Sequence, residues 1–299
     1  INDGRFGENT IKSIIEKLVT SKTDIIEVGF LWDVSTDDDT ARFVSVEEIK
    51  KYLPKDMGHT KLSAMADNID LTNFEDYDGT LEYIRLSFRK HELEWAEKTA
   101  RLIMGKGYKC ILNPIHGSAL SDEEYLKIIQ KVNKIKPYGF SIVDTFGAMR
   151  RDDIGRLYYL IENNLDKDIV LGIHLHENLG LSYSMAQYIA EITSPTRALI
   201  IDGSLYGMGK IPGNLCIEQI MEHLNYKYGC SYAIEPVYDA IDEYIMPIYN
   251  RVRWGYSVPY AISAQCRVHR TYAEYLVNEK RLRTKDIRRI LSEIDREHA

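Results

Sequence analysis

Cysteine is scarce in this chain of 299 residues, and the four present, Cys110, Cys216, Cys230 and Cys266, are far apart and form no C-x-x-C pair. That spacing excludes a disulfide frame and points to reduced thiols in a cytoplasm. No apolar run is long enough to cross a bilayer, so a soluble protein without a membrane partner is expected. A basic excess is also lacking: 38 Lys and Arg stand against 45 Asp and Glu, a formal net charge of -7. Because affinity for phosphate backbones is carried by clustered cations, this balance speaks against a nucleic-acid partner. The one basic cluster, Lys280 to Arg289, alternates with Leu282, Ile287 and Ile290 and reads as the solvated face of a helix. The run Asp37-Asp38-Asp39 lacks the glycine and the terminal glutamate of a calcium loop and reads as a solvated turn. No signal peptide is visible, and the chain opens on Ile1 rather than Met.

What is present is a globular balance, 44% hydrophobic and 28% charged, at a length that suits one large α/β barrel. Strand-like runs are predicted over 24–30, 61–66, 81–88, 108–114, 140–145, 171–176 and 197–204. Helical spacing alternates with them over 9–18, 46–52, 92–104, 121–135, 151–163, 182–191 and from about Leu215. Asn9 or Thr10 is the expected cap of the first helix, and Ser121 with Glu124 forms a capping box. Polar residues gather at strand ends, the pattern of an all-parallel sheet closed by crossover helices with chemistry at the C-terminal face of the strands. The expected fold is therefore a TIM (β/α)8 barrel. Seven strands lie between Ile25 and Ile201, and the helix at 9–18 has no strand ahead of it. A first strand upstream of Ile1 is the expectation, with an open sheet or a barrel closed by a misread segment as alternatives. Beyond Glu235 the runs become helical, over 237–249, 261–269, 272–278 and 284–294. The expected division is a barrel over 1–233 and a helical extension over 234–299.

The stretch Leu171 to Gly180 holds the sharpest chemical signal. Side chains of a strand alternate with period two, so His174 and His176 share a face and Leu175 points the other way. Two neutral imidazoles at a strand's exit suit a metal ion whose shell is completed by a third ligand and by water or substrate. A hydrogen-bonded pair at a core edge is the alternative. Glu27, a charge inside a β-branched strand, needs either a partner or a task.

Four runs, IIEVGF, IVDTFGAM, GIHLHENLGLS and IDGSLYGMGKIPGN, resemble the DRE-TIM metallolyase superfamily in their order and spacing, with a weaker echo in WGYSVPY. Within it they look most like the 4-hydroxy-2-oxoacid aldolases. The resemblance implies a divalent metal, Mn2+, Mg2+ or Zn2+, held by the histidines of H-x-H, matched by His174 and His176, and by an aspartate in a first-strand motif similar to T-L-R-D-G. This sequence has no such motif, though Asn2-Asp3-Gly4 looks like the segment that trails it. Glu27 matches an acidic residue close to the substrate in relatives, with a salt bridge inside the barrel as the alternative. Asn214 matches a position that ligates metal in the lyase branch, with a cap for the helix at Leu215 as the alternative. Tyr260, with Tyr256 close by, falls near the tyrosine that serves as acid in related aldolases. Asp144 ends its strand at the mouth, where it bonds a ligand or a loop, and Arg85 and Asn178 complete the expected substrate-binding set. Leu205 stands where hydroxymethylglutaryl-CoA lyases carry a reactive cysteine, which tells against that branch.

The activity so implied is a metal-dependent aldolase that joins or separates pyruvate enolate and an aldehyde. Its partners are a 2-oxo acid and an aldehyde, and a homodimer or larger homo-oligomer is expected. A Claisen-type synthase uniting an acyl-CoA with a 2-oxo acid, of the isopropylmalate or homocitrate type, is one rival. A non-catalytic barrel is the other.

Overall fold

Parallel strands buried on both faces need near-continuous apolar runs, and β4 (Leu81–Phe88), with all but one residue buried, shows why this sheet forms. The computed structural model describes residues 4–294, so Asn2 and Asp3 lie outside the described residues. The other strands are β1 (Ile25–Leu31), β2 (Arg42–Phe43), β3 (Lys61–Asp67), β5 (Lys109–Pro114), β6 (Gly139–Asp144), β7 (Val170–Leu175) and β8 (Leu199–Ile201). All pair in parallel, in the order β2-β1-β3-β4-β5-β6-β7-β8. Seven are the strands expected from sequence. The eighth, β2, lies in a segment whose polarity reads as loop; it forms because Phe43 is buried and the pair is only two residues long.

The curl of the sheet follows from one side chain. In this order β8 stands four places from β4, about 19 Å away in a flat sheet at ordinary strand spacing. Yet Arg85 on β4 bonds Asp202, the residue after β8, and also Glu27 on β1. The strands therefore wrap around a common interior, and the fold is of the TIM-barrel type. No ladder joins β2 to β8 among the described residues. The two ends are tied by a side-chain cluster instead: Leu205 and Met221 from the β8 side meet Ile14 and Leu18 of α1 (Glu8–Thr20) through Val237 and Ile241 of the tail.

The outer layer is α1, α2 (Val46–Lys50), α3 (Leu93–Gly105), α4 (Asp122–Ile135), α5 (Arg151–Asn164), α6 (Ser182–Ile192) and α7 (Ile217–Tyr228). Each longer helix buries a stripe at three- and four-residue spacing, such as Tyr125, Ile128, Ile129 and Val132 on α4. Ser121 and Glu124 form the expected capping box. The cap of α1 differs from expectation: Asn9 and Thr10 lie inside the helix, Gly7 is the N-cap, and Asp39 closes the end from outside. Its carbonyl accepts the N–H of Phe6 and Gly7, and its carboxylate accepts that of Glu8. The acidic run thus serves as a helix N-terminal anion and as ion-pair partners, with Asp37 on Arg5 and Asp38 on Lys51.

The tail is helical as expected: α8 (Glu235–Ala240), a π-helical turn (Ile241–Ile245), α9 (Met246–Tyr249), α10 (Val258–Cys266), α11 (Arg270–Asn278) and α12 (Thr284–Glu293). No described helix is long and apolar enough to cross a membrane. Helices α10 to α12 share an apolar cluster that includes Tyr260, Ile262, Val268 and Leu276. Ala264 of α10 packs on Phe146 and Ala148, beyond the C-terminal end of β6, so the tail sits at the barrel mouth.

β8 is shorter than predicted because Arg197 is held by its side chain rather than by a ladder. Its guanidinium, 1% exposed, donates to the carbonyls of Leu165, Asp166 and Ile169 and pairs with Glu162 at 2.5 Å. Arg197→Met takes the side-chain donors from the buried Leu165 and Ile169 carbonyls and leaves Lys167 as the remaining ion-pair partner of Glu162, so a loss of about 3 kcal/mol is expected in urea unfolding. A loss under about 1 kcal/mol, the value of a surface pair, contradicts this account.

Candidate active site at the barrel mouth

At the exit of β7 the rings of His174 and His176 lie 4.9 Å apart, nearly perpendicular. Their tautomers are set by what each Nδ1 touches. His176 Nδ1 is 2.8 Å from the Asp144 carbonyl, which can only accept, so that nitrogen carries the proton. His174 Nδ1 is 3.0 Å from Asp202 Oδ2 and donates to the carboxylate. In its neutral form each ring therefore keeps an Nε2 lone pair with no protein partner among the described residues. Burial, with His174 beside it, pushes the His176 pKa down to about 3, so its imidazole is neutral at ordinary pH.

Behind His174 stands a charge network. Asp202 Oδ2 accepts from both His174 and Arg85 Nη1, while Arg85 Nη2 donates to Glu27 Oε1 at 2.6 Å. Burial alone would raise the Asp202 carboxyl, but Arg85 and His174 outweigh it and hold its pKa below the ordinary value. Arg85 Nε is buried with no hydrogen-bond partner among the described residues. Glu27 thus has the in-barrel salt bridge weighed as its alternative role, and Arg85, expected on substrate, is engaged by two carboxylates.

The remaining residues singled out in the sequence divide by position. Asp144 spends its carboxylate on its own loop, accepting the N–H of Ala148 and of Met149 at 3.0 Å each, and burial raises its pKa to about 6. Asn178 is buried and donates to the Tyr260 carbonyl at 3.4 Å, fastening the β7 loop to the tail. It also fills the space beside Gly147 (φ 55), where a Cβ would stand 2.4 Å from Asn178 Oδ1. Tyr260 is 5% exposed, its ring inside the tail's apolar cluster rather than on the histidine pair. Asn214 does not cap the next helix, which starts at Ile217 with Cys216 as N-cap. Its backbone bridges to His176, its Nδ2 donates to the Met208 carbonyl, and its Oδ1 has no hydrogen-bond partner among the described residues.

Several mouth residues carried little sequence signal. Asp202 closes the apolar run of β8, and that placement was the available clue. His116, after β5, and His269, ahead of α11, share a stack with Phe146, and Lys210 and Arg270 lie near enough to His176 and His269 to lower both pKa values. The two β7 rings fit two positions of a divalent cation, since their lone pairs are free and their N–H bonds are braced from behind. No group of three or more His, Cys, Asp or Glu side chains among the described residues is arranged to hold one. Asn214, whose backbone bridges to His176, carries a side-chain oxygen of another kind among the described residues.

Fold and site together define a TIM-barrel protein whose polar constellation lies at the C-terminal ends of the strands, where such barrels carry their chemistry. The profile of the HMGL-like family matches residues 5–239, and the chain belongs to that family. It is 24% identical over 285 residues to methylthioalkylmalate synthase 1 of Arabidopsis thaliana, covering 86% of this chain and 55% of that protein. It is 22% identical over 181 residues to the 4-hydroxy-2-oxovalerate aldolase of Pseudoalteromonas translucida, covering 58% of this chain and 50% of that protein. The N-terminal domain of a Bacteroides vulgatus protein described as an aldolase has the same fold, with a TM-score of 0.74, 19% identity, and 93% of this chain and 95% of that chain covered. The chain spans about half the length of the curated relatives it matches. The family bears out the superfamily legible in the four motifs, and its members here include both synthases and aldolases.

Asp202→Asn removes the charge on which both Arg85 and His174 rely, so about 3 kcal/mol should be lost in urea unfolding at neutral pH. Glu27→Gln, at a more open position, should cost about 1 kcal/mol. The Asp202 pKa is depressed in the fold, so its stabilisation is complete above its ordinary value of 3.8 and is lost as pH falls below it. The gap between wild type and Asp202→Asn should therefore narrow in acid. Equal losses for the two variants, or a gap that ignores pH, would overturn this ranking.

Proposed function

We propose that this protein makes or breaks a carbon–carbon bond of a 2-oxo acid, as an aldolase that interconverts a 4-hydroxy-2-oxo acid with pyruvate and an aldehyde. The observation that carries the reading is the pair of Nε2 lone pairs on His174 and His176, with both Nδ1 protons pinned, in a chain of the HMGL-like family. These two rings, with Asn214 Oδ1, are the groups that would hold a divalent cation. Such an ion, when bound, stabilises negative charge on the oxygen of a 2-oxo acid.

The chain's own residues supply the rest. Asp202 and the Asp144 carbonyl keep the rings in the lone-pair-outward tautomer throughout. Glu27 is fixed through Oε1 by Arg85, and its Oε2 has no protein partner among the described residues. In this reading that oxygen takes the proton of the substrate 4-hydroxyl as the bond between C3 and C4 breaks. The electron pair of that bond passes to the pyruvate enolate, and the proton on Glu27 is available for return to C3. No covalent amine intermediate is needed.

A Claisen-type synthase is the second reading, supported by the similarity to a methylthioalkylmalate synthase across 86% of the chain. Pyruvate release from a panel of 4-hydroxy-2-oxo acids, against thiol release from acetyl-CoA with a panel of 2-oxo acids, separates the two. For the aldolase, a chelator abolishes pyruvate release, His174→Ala and His176→Ala lower kcat/KM by about a thousandfold, and Glu27→Gln lowers kcat by about a hundredfold. Pyruvate release that survives chelation refutes the metal-dependent aldolase. Thiol release alone establishes the synthase.

A further inference from the structure

His269 has the opposite tautomer from the histidines of β7. As N-cap of α11 it accepts the backbone N–H of Thr271 on Nδ1 at 3.3 Å, and a nitrogen that accepts from an N–H carries no proton. In the neutral ring the proton therefore sits on Nε2, which is a donor. The ring is neutral at ordinary pH, because burial, followed by His116, Arg270 and Lys210, pushes its pKa down to about 4. Phe146 and His116 hold it at the mouth, with centroids 5.8 Å and 5.9 Å away.

Two cations accompany this donor: Arg270 opens α11 directly after it, and Lys210 precedes Ile211, which packs against the apolar cluster of α10 to α12. Arg270, the next residue, gives Nη1 to Glu274 at 2.9 Å, its one carboxylate partner among the described residues. Lys210 projects from the glycine-rich loop that pairs with the exit of β7 through Glu177 and Gly213, and it has no ion-pair partner among the described residues. The two cations exceed their single paired carboxylate by one charge, and both also act on His176. The β7 pair offers lone pairs, whereas this neighbouring cluster offers hydrogen-bond donors and positive charge.

We propose that His269, Arg270 and Lys210 form an anion subsite at the barrel mouth beside the His174–His176 pair, taking a carboxylate or phosphate carried by the substrate away from its reacting carbon. The subsite deepens the 2-oxo acid reading, since the aldehyde or acyl half then bears a negative charge of its own. It rests on that reading only for the identity of the molecule that brings the anion.

The test is calorimetric titration of the full chain with inorganic phosphate, with succinate, and with succinamide as the uncharged control. Saturable binding of the anions and none of succinamide is expected, the tighter anion telling a phosphate-bearing substrate from a dicarboxylic one. Lys210→Met and Arg270→Met should each weaken binding by about tenfold, and Lys127→Met on α4 should leave it unchanged. Lys210 is exposed in its loop, so that variant tests the subsite without threatening the fold. Absence of saturable binding, or binding that both mouth variants leave within about twofold, overturns the subsite. Pyruvate release is measured on the same samples. Anion binding without turnover leaves the subsite standing and removes the aldolase, whereas turnover without anion binding does the reverse.

Discussion

Arg85 stands inside the barrel between Glu27 and Asp202, carboxylates contributed from strands near the two ends of the sheet order. A guanidinium taken out of water is tolerated only with such partners, and removing either would leave charge unpaired in a poorly solvated interior. The same contact closes the curve of the sheet, since β1, β4 and β8 must converge for one side chain to reach both acids. It also orients His174, because Asp202 uses one oxygen for the arginine and for the imidazole. Fold closure and the chemistry of the strand ends thus share a single ionic knot.

Proton placement then separates the mouth into two kinds of surface. His174 and His176 are braced on Nδ1 by acceptors and turn lone pairs outward, while His269 is braced on Nδ1 by a donor and turns an N–H outward. Identical side chains become a Lewis base or a hydrogen-bond donor according to the backbone or carboxylate behind them. The tail takes part in this division, since His269 and Arg270 reach the mouth from it and Asn178 ties the β7 loop to the Tyr260 carbonyl.

Much of the fold was legible because the signals are local. Strand and helix periods placed β4 to the residue and the longer helices to within a few residues, and the capping box at Ser121 formed as read. The failures have physical causes. β2 is too short for a periodic signal, the cap of α1 comes from Asp39, remote in sequence, and Arg197 replaces ladder bonds at the start of β8 with side-chain bonds. The place of Tyr260 along its motif carries no information on packing, and its ring lies in the apolar cluster of α10 to α12.

By itself the sequence determined the alternation of strands and helices and the shared face of His174 and His176, because hydrophobic period and side-chain alternation are properties of a few adjacent residues. Only the tertiary structure decided which atom each polar group meets: Arg85 finds Glu27 at 58 residues' separation and Asp202 at 117. Those meetings fix the histidine tautomers and bring His269, Arg270 and Lys210 to one mouth. They depend on how strands curl and where the tail packs, and no local pattern in the chain encodes that geometry.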